Sequence, residues 1–405
     1  MYYYTECLRP EGLEPELFAD RDALRVDLKR RIATAIKAKR IGGIRFIGAG
    51  EMGVGKSILF RKVLRELHQE GDLILVEIDG RECRDELELL KNLCRTMCGA
   101  LRDRFRDDGN RLFAEAAYIE DIVEKSKITQ RNARSIMKGT KIESGIEIGT
   151  GLIPFLKAKL GITDERVESE EVSDEYEFDI NVPFLRDLLN SVIKNIGAEQ
   201  KFLFFIDNLD QVYEKDTISD FLKSLLAIKN PVVVITVRTE ALSNELRRDF
   251  CRIVPVEELD EEGLIEVIRK RLEVCDGDDR AGIDEARLFG VADILKTLTG
   301  NPLAFLTWIE FLCNNTGLNP ETAVEDLKRY TDTHFSDFLP GELEKIIKFF
   351  LKQDNDYKGK EDILKGGFSE GLFERLCERG VLIPNDIYKP RYYKIAPEFV
   401  FFKKL

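Results

Sequence analysis

The chain has 405 residues, of which 43% are hydrophobic and 34% are charged, and its formal net charge at pH 7 is −13. One hydrophobic core rarely serves so long a chain, so we expect two or three domains. The acidic balance argues against a broad basic surface for nucleic acid. No apolar run approaches the roughly 18 residues of a membrane span, and no signal-peptide pattern opens the sequence, so we expect a cytoplasmic protein without a membrane span.

Cysteine and histidine usage narrows the class of protein further. The eight cysteines include no C-x-x-C pair, and the chain has only two histidines. This usage is typical of free thiols in a reducing compartment. It argues against a disulfide framework and against a histidine-based zinc site.

The N-terminal part of the chain has the pattern of a parallel α/β domain. Apolar residues recur every four positions over 20–40, which predicts an amphipathic helix. A short apolar strand over 44–47 runs into a glycine-rich stretch, and a helix over 57–70 and a buried strand over 73–78 come next. Strand, glycine loop, helix and strand in this order open a parallel sheet.

Three more short apolar runs predict the remaining strands of this sheet. They cover 202–206, 232–236 and 252–256. Near-continuous apolar runs are typical of strands that are covered on both faces. We therefore expect one parallel sheet between layers of helices.

The stretch between the second and third predicted strands is far longer than one crossover helix needs. It predicts an insertion at about 85–181, with helices over 85–106 and 114–126. The glycine-rich and acidic part, 140–178, is interpreted as a β-hairpin followed by an acidic loop. A plain solvated loop is the alternative.

Beyond residue 256 the pattern becomes helical. Four helices are predicted, over 261–274, 291–299, 302–314 and 320–333. The last of them has Asn319 as its expected cap and a proline in its first turn. Together these helices predict a small lid on the sheet.

The C-terminal part predicts a separate winged-helix unit. Helices over 341–353 and 369–379 precede short strands at 381–383 and 392–395, which are joined by a turn. We therefore expect three domains with the boundaries 1–258 for the core, 259–333 for the lid and 334–405 for the winged helix.

The glycine-rich stretch carries the first chemical motif, because residues 50–57 fit the pattern G-x-x-x-x-G-K-[ST]. Its members are Gly50, Glu51, Met52, Gly53, Val54, Gly55, Lys56 and Ser57. Glycines let such a loop wrap around phosphate with its N–H groups inward, and the helix that follows adds the positive end of its dipole. Lys56 is expected to reach the β- and γ-phosphates of a nucleotide, and the Ser57 hydroxyl is expected to hold Mg²⁺.

A phosphate loop needs an acidic partner for the metal at the end of a neighbouring strand. The apolar run 202–206 ends at Asp207, the pattern known as Walker B, so we expect Asp207 to hold Mg²⁺ with Ser57. Many such ATPases carry next a glutamate that orients the attacking water, and here that position is Asn208. An amide cannot accept a proton as a carboxylate does. Either Asp210 takes this role or hydrolysis is slow.

Arginines after the next strand are candidates for sensing the nucleotide. Arg238 follows the run 232–236, at the sheet edge where ligands bind in open α/β folds. It is a candidate sensor of the γ-phosphate, and an ion pair with a surface acid is the alternative. Arg247, Arg248 and Arg252 either reach the nucleotide of a neighbouring subunit as an arginine finger or are solvated.

These motifs resemble the AAA+ and STAND superfamily of P-loop ATPases, above all the branch with the origin-recognition and archaeal-type ATPases. Residues 206–210 are similar to the IDxLD form of Walker B that is also seen in KAP-type ATPases. Residues 235–238 resemble the sensor strand, and residues 298–303 resemble the G-x-P motif of the STAND lid. Residues 18–21 resemble the F-x-x-R box that precedes the domain and lies near the adenine.

The resemblance implies an α/β fold, a parallel-sheet P-loop NTPase domain with a helical lid and a C-terminal winged-helix domain. It implies binding of ATP or ADP with Mg²⁺, with Arg21 and Pro302 among the residues beside the nucleotide. Asn208 departs from the family pattern and puts fast turnover in doubt. The insertion before Walker B has no counterpart in the pattern.

The expected function is that of an ATP-binding P-loop NTPase of AAA+/STAND type. We expect it to hydrolyse ATP and so drive conformational change or assembly on a protein or nucleic-acid partner. Self-association of the chain is one expected form of this assembly. A slow-hydrolysing, nucleotide-gated switch that controls partner binding is the alternative, and a scaffold without nucleotide is the third hypothesis. Basic and acidic residues nearly balance from 335 onwards, which does not support strong DNA binding by the C-terminal unit as a whole. The expectation that the winged helix binds DNA therefore rests on three basic residues at the predicted wing, Lys389, Arg391 and Lys394.

Overall fold

The computed structural model describes the greater part of the chain. The described residues are 8, 21–37, 44–71, 73–104, 111–125, 127–129, 177–196, 201–211, 218–228, 231–250, 252–274, 283–334, 338, 341–351, 358–384, 392–396 and 399. The predicted hairpin and acidic loop at 140–178 lie almost wholly outside these ranges.

The centre of the molecule is a parallel β-sheet. The described strands are β1 (Ile44–Ala49), β2 (Leu73–Asp79), β3 (Lys127–Thr129), β4 (Glu177–Asp179), β5 (Lys201–Asp207), β6 (Val232–Val237), β7 (Arg252–Pro255), β8 (Lys358–Gly359), β9 (Leu382–Pro384) and β10 (Tyr392–Ile395). Five of them form the main sheet in the order β2-β5-β6-β1-β7, and all its pairs are parallel. The predicted α/β class with a parallel sheet is therefore confirmed.

Helices cover the sheet and make up most of the C-terminal part. The described helices are α1 (Asp22–Lys37), α2 (Lys56–Glu70), α3 (Glu86–Arg104), α4 (Arg111–Glu124), α5 (Val182–Ile196), α6 (Ile218–Phe221), α7 (Lys223–Leu226), α8 (Asn244–Asp249), α9 (Glu261–Val274), α10 (Glu285–Leu295), α11 (Pro302–Asn315), α12 (Ala323–His334), α13 (Glu342–Leu351), α14 (Lys360–Lys365) and α15 (Glu370–Glu378). None of the helices in the described ranges combines the length and the apolar composition that crossing a bilayer requires.

The predicted strands of the main sheet are all present, and several run further than their apolar residues. β1 continues through Gly48 and Ala49, and β2 and β5 each end on an aspartate. These last residues keep the parallel pairing, so that Asp79 of β2 is the register partner of Asp207 of β5. Two carboxylates therefore lie side by side at the carboxyl edge of the sheet.

The residues of β5 show why this strand is apolar along its whole length. Phe202, Phe204 and Ile206 belong to the hydrophobic cluster on the face covered by α3 and α5. Leu203 and Phe205 belong to the cluster on the other face, with residues of α1 and α2. Because neighbouring side chains point to opposite faces and helices cover both, an alternating polar pattern would bury polar groups.

Part of the predicted 85–181 insertion belongs to the core of the main domain. The first helix in that range, α3, contributes seven buried residues to the cluster on one face of the sheet. A later helix on the same face, α5, was not predicted. Four of its buried residues nevertheless have helical spacing, namely Leu185, Leu188, Leu189 and Val192. The boundaries of the insertion stay a prediction.

The start of the second lid helix was predicted wrongly. α10 begins at Glu285 and ends at Leu295, whereas the prediction was 291–299. Its cap is Asp284, whose side chain accepts a hydrogen bond of 3.1 Å from the backbone N–H of Arg287. The prediction followed the apolar residues and missed this cap, which satisfies an N–H group of the first turn.

The start of the fourth lid helix was also predicted wrongly. α12 begins at Ala323, because the residues from Asn319 to Thr322 form a turn before it. Asn319 accepts a hydrogen bond from the N–H of Glu321, 3.2 Å away, within this turn. Pro320 packs closely on Gly290 of α10, and a Cβ atom added to Gly290 would lie 2.7 Å from the proline ring. Packing between helices therefore holds this proline in a turn.

The lid and the C-terminal unit share one hydrophobic cluster. Buried Phe305 and Trp308 of α11 belong to the same cluster as Ile346 and Phe350 of α13. The C-terminal unit has a three-stranded antiparallel sheet in the order β8-β10-β9, which includes the predicted pair of strands after two helices. Its assignment to the winged-helix class and the boundary at 333/334 stay predictions.

The cysteines that the structure describes are free thiols, as the sequence predicts. They are Cys83, Cys94, Cys98, Cys313 and Cys377. Complete burial raises the pKa of Cys94 to about 12, because a thiolate would be desolvated there. This thiol therefore stays protonated and unreactive at neutral pH.

The cap of α10 can be tested with a matched pair of variants. Replacing Asp284 with alanine should lower the free energy of unfolding by about 1 kcal/mol, because the N–H of Arg287 loses its partner. Asp284→Asn should change it by no more than a few tenths, about 0.5 kcal/mol at most, since asparagine caps equally well. Urea unfolding measures both. Equal losses in the two variants would show that the carboxylate charge matters and the cap does not.

Candidate functional site

The glycine-rich loop lies between β1 and α2 and curls tightly. Gly53 and Gly55 have φ angles of 83° and 88°, in the left-handed region that side chains disfavour. A Cβ on Gly53 would also lie 2.6 Å from Oδ1 of Asn301, which belongs to the lid. A Cβ on Gly50 would lie 2.2 Å from the carbonyl oxygen of Val256. The loop is therefore confined between the end of β7 and the lid.

Lys56 opens α2 with its side chain folded back over the loop. Its ammonium donates hydrogen bonds to the carbonyl oxygens of Gly50, 2.9 Å away, and of Glu51, 2.7 Å away. The positive end of the helix dipole lies at the same place. The loop thus gathers positive charge at its centre, as an anion site requires.

Asp207 is fully buried at the end of β5 and links three elements. Its Oδ1 accepts hydrogen bonds from the hydroxyl of Ser57 in α2, 2.9 Å away, and from the hydroxyl of Thr236 in β6. The backbone N–H of Asn208 donates to the same oxygen at 3.1 Å. One carboxylate oxygen therefore holds the loop helix and two neighbouring strands together.

The other oxygen of Asp207, Oδ2, has no hydrogen-bond partner among the described residues. The closest cation is Arg61, whose Nη2 lies 3.5 Å away. Burial raises the pKa of Asp207, and the bonds from Thr236 and Ser57 and the charge of Arg61 act against that rise. A hydroxyl beside a buried carboxylate oxygen without a partner fits Mg²⁺, which takes one or two protein oxygens and keeps several waters. Ser57 and Asp207 would hold it.

Asn208 and Asp79 come together beside Asp207. Asn208 has a left-handed backbone, with φ of 58°, a conformation that asparagine tolerates better than most residues. Its Nδ2 donates to Oδ1 of Asp79, 3.4 Å away, and Arg81 also donates to both oxygens of Asp79 at 3.0 Å. Partial burial works to raise the pKa of Asp79, but the bonds from Arg81 and Asn208 outweigh it and leave this pKa below 3.8. Asp79 is therefore ionised at neutral pH.

Two of the three residues predicted at the reaction centre, Asp210 and Arg238, are each other's partner, and the third is Asn208. Nε of Arg238 lies 2.5 Å from Oδ2 of Asp210, and Nη2 lies 3.0 Å from the carbonyl oxygen of Asp210. Asp210 is 4% exposed and Arg238 is 8% exposed. The ion pair that the sequence left open for Arg238 is thus present, with a buried acid in place of a surface one.

Two contacts bring the lid and the segment before β1 onto the loop. Asn301 caps α11 with its Oδ1 and donates from Nδ2 to the carbonyl oxygen of Met52, 2.7 Å away. Pro302 follows it as the first residue of the helix. Arg21 donates to the carbonyl oxygens of Val54, 2.5 Å away, and of Glu257. The bond from Asn301 to the loop was not predicted from the sequence.

The C-terminal unit also reaches the loop, which the sequence did not predict. Lys394 of β10 is 4% exposed, and its Nζ lies 2.5 Å from Oε2 of Glu51. Nη1 of Arg238 lies 3.5 Å from the carbonyl oxygen of Pro384 in β9. Lys394 therefore does not belong to an exposed basic wing, which corrects one of the three residues behind the DNA expectation. Lys389 and Arg391 lie outside the described residues.

The candidate arginine-finger residues lie apart from the loop. Arg247 and Arg248 are exposed on α8. The guanidinium of Arg252 lies 5.1 Å from the centre of the Phe46 ring, at the edge of the main sheet. Their role at a neighbouring subunit stays a prediction.

The buried charge of Asp207 gives a pH-dependent prediction. Because the folded pKa is raised above 3.8, the folded state favours the neutral carboxyl, so stability falls as pH rises through the raised pKa. Asp207→Asn does not ionise and keeps an oxygen for the Ser57 and Thr236 hydroxyls. At neutral pH it should be more stable than the unchanged protein by about 1–2 kcal/mol, or about 2–4 °C in thermal midpoint, and the difference should vanish in acid.

Thermal unfolding across pH measures this difference, and Asp103→Asn is the control because Asp103 is exposed on α3. The control should leave the midpoint unchanged at every pH. A midpoint for Asp207→Asn below that of the unchanged protein at neutral pH would contradict the prediction.

Comparison with known proteins gives one family and several distant structures. The Aeropyrum pernix ORC2 protein in ADPNP-ADP complexes is 10% identical over 98% of this chain and 95% of its own, with a TM-score of 0.47. The Pyrobaculum aerophilum Cdc6p structure is 12% identical over 98% and 96%, with a TM-score of 0.42. The Thermotoga maritima RuvB Holliday junction branch migration motor is 12% identical over 96% of each chain, with a TM-score of 0.38. Likenesses at this level do not bear on activity.

No curated protein matches the sequence significantly. The KAP family P-loop domain, in contrast, matches residues 30–282, which is more than half of the 405 residues. The matched range contains the loop 50–57, Asp207 and Arg238. The chain therefore belongs to the KAP family of P-loop NTPases.

Proposed function

We propose that the protein binds ATP or ADP with Mg²⁺ and hydrolyses ATP to drive a conformational change or assembly on a partner. The observation that carries this proposal is the contact between the Ser57 hydroxyl and the buried Asp207 carboxylate, 2.9 Å apart, with Oδ2 of Asp207 left without a hydrogen-bond partner among the described residues. A buried carboxylate oxygen without a hydrogen-bond partner lowers the stability of the fold unless a ligand binds it. Mg²⁺ with its waters is such a ligand.

In this proposal the residues 50–57 hold the phosphates. The backbone N–H groups of the loop and the start of α2 face the anion, and Lys56 exchanges the carbonyl oxygens of Gly50 and Glu51 for phosphate oxygens. Ser57 and Asp207 hold the metal. Arg21, Asn301 and Pro302 lie where the segment before β1 and the lid approach the loop, which favours a role beside the rest of the nucleotide.

Adenine specificity is proposed from the resemblance of the motifs to AAA+ and STAND ATPases. The partner is proposed to be a protein or a second copy of the chain. Burial of Lys394 removes one of the three basic residues on which DNA binding through a winged helix rests, so DNA is the weaker proposal. Buried free thiols support the proposed cytoplasmic location.

Nucleotide binding and turnover are tested by variants in the loop. Lys56→Ala should weaken binding of fluorescent ATP by about 10- to 100-fold and abolish phosphate release, because it removes charged hydrogen bonds to the phosphates. Ser57→Ala should remove the gain in affinity that Mg²⁺ provides. Arg65→Ala, an exposed change on the same helix, should alter neither quantity.

Each outcome has a separate meaning. A flat titration of the unchanged protein with ATP and Mg²⁺ would contradict nucleotide binding and favour a scaffold. Binding without phosphate release above that of Lys56→Ala would contradict the enzyme and leave the switch.

A nucleotide-gated switch with slow hydrolysis is the second candidate, and the contact of the C-terminal unit with the loop favours it. Lys394 pairs with Glu51 of the loop, and Pro384 accepts from Arg238 at the sheet edge. Both contacts lie on the segments that would face the phosphates. A γ-phosphate would attract the Lys394 and Arg238 cations and so compete with these contacts. Nucleotide state and the position of the C-terminal unit would then be coupled.

Nucleotide exchange tests the switch. Lys394→Met keeps the length and buried volume of the side chain but loses the bond to Glu51. Fluorescent ADP should then be released about tenfold faster, which corresponds to a loss of about 1.4 kcal/mol of interaction energy. Lys360→Met is the matched control, because its ion pair with Glu370 is exposed on the same unit. Unchanged release in Lys394→Met, or rapid exchange with multiple turnover in the unchanged protein, would count against the switch.

A further inference from the structure

Hydrolysis needs a group that holds the attacking water, and the two positions expected to provide it do not. Asn208, next to Asp207, is an amide and accepts no proton. Asp210 is buried in a pair with Arg238, which binds both its carboxylate and its carbonyl oxygen. Removing Arg238 from this pair would leave an uncompensated buried charge, which is strongly destabilising. Asp210 is thus committed to Arg238.

One further carboxylate lies at the same edge of the sheet. Asp79 ends β2, and its Cα is the register partner of Asp207. Both strands run parallel, so the two residues face the same side of the sheet edge, where ligands bind in open α/β folds. Asn208 links them, since its N–H donates to Asp207 at 3.1 Å and its Nδ2 donates to Asp79 at 3.4 Å.

The backbone of Asn208 explains why the usual glutamate does not follow Asp207. At φ of 58° the residue is left-handed, and asparagine and aspartate are enriched there, whereas a longer glutamate is strained. The Asn208 amide is then well placed to orient a neighbouring acid by hydrogen bonding. Asp79 is that neighbour.

The ion pair of Asp79 is more exposed than the ion pair of Asp210. Its partner Arg81 is 51% exposed, and Asp79 itself is 19% exposed. An ion pair with one exposed partner contributes little to stability, so Arg81 can leave without a large cost. In the other pair, the side chains of Arg238 and Asp210 are only 9% and 4% exposed. Of the two acids, Asp79 is the one that solvent can reach.

We propose that Asp79 is the carboxylate that orients and deprotonates the attacking water, and that Asn208 positions it. This inference rests on the proposed ATP hydrolysis. In the step, the water oxygen bonds to the γ-phosphorus, and the bond from that phosphorus to the β–γ bridging oxygen breaks, its electron pair staying on ADP. The proton of the water passes to Asp79 and then to the released phosphate, so that Asp79 ends ionised.

The test compares phosphate release and ATP affinity in the full chain. Asp79→Asn should lower kcat by about 100-fold, because it removes the proton acceptor, and should leave KM for ATP nearly unchanged. The fold should be kept, since asparagine also accepts the hydrogen bond that Asp79 takes from the N–H of Arg81 at 3.0 Å. Thermal unfolding checks this.

Two more variants separate chemistry from structure. Arg81→Ala removes the ion pair but keeps the carboxylate, so turnover should change by less than about fivefold. The double variant Asp79→Asn/Asn208→Asp exchanges the amide and the carboxylate across the same hydrogen bond. It should recover at least about tenfold of the lost kcat, since a water-orienting acid returns beside Asp207.

The outcomes that overturn the inference differ from those that overturn the proposed function. Turnover of Asp79→Asn within about threefold of the unchanged protein overturns the role of Asp79 alone, since a general base contributes far more. Equal losses in Asp79→Asn and Arg81→Ala, without recovery in the double variant, mean that the pair is structural and also overturn it. Absence of turnover in the unchanged protein above Lys56→Ala overturns the proposed hydrolysis and this role together.

Discussion

The site depends on one buried charge, the carboxylate of Asp207 at the end of β5. Its Oδ1 binds the hydroxyls of Ser57 and Thr236, so a single oxygen sets the distance between the loop helix and two strands of the sheet. Helices on both faces of β5 enclose it, and the cost of that burial appears as its raised pKa. A protein keeps such a charge where a function needs it, at some expense of stability.

The carboxyl edge of the sheet is the place where distant parts of the chain meet this charge. β2 brings Asp79, the lid brings Asn301, and the C-terminal unit brings Lys394 and Pro384. Strand direction explains the first of these contacts, since parallel strands end together. The cluster that joins the lid to the C-terminal unit explains the others, because both approach the loop as one packed body. A ligand bound in the loop would therefore affect the contacts of each of these elements.

The accuracy of the sequence predictions follows the kind of signal behind each element. The strands of the main sheet were predicted because burial on both faces leaves uninterrupted apolar runs, and the loop was predicted because its turn demands glycines. Lid helices were placed less well. Asn319 and Pro320 have the pattern of a helix start, yet Pro320 is held in a turn by packing against Gly290. α5 was missed although its buried residues have helical spacing.

The sequence by itself determined the α/β class, the glycine-rich loop at 50–57 and the acid that ends β5, because these depend on local patterns of a few residues. Tertiary structure alone decided what the remaining polar groups do. It paired Arg238 with Asp210, buried Lys394 on Glu51 and brought Asp79 to Asn208. These partners are 28, 343 and 129 positions apart in the chain, and nothing local specifies such a contact. Strand register and helix packing choose them, because buried or crowded charges must find a partner.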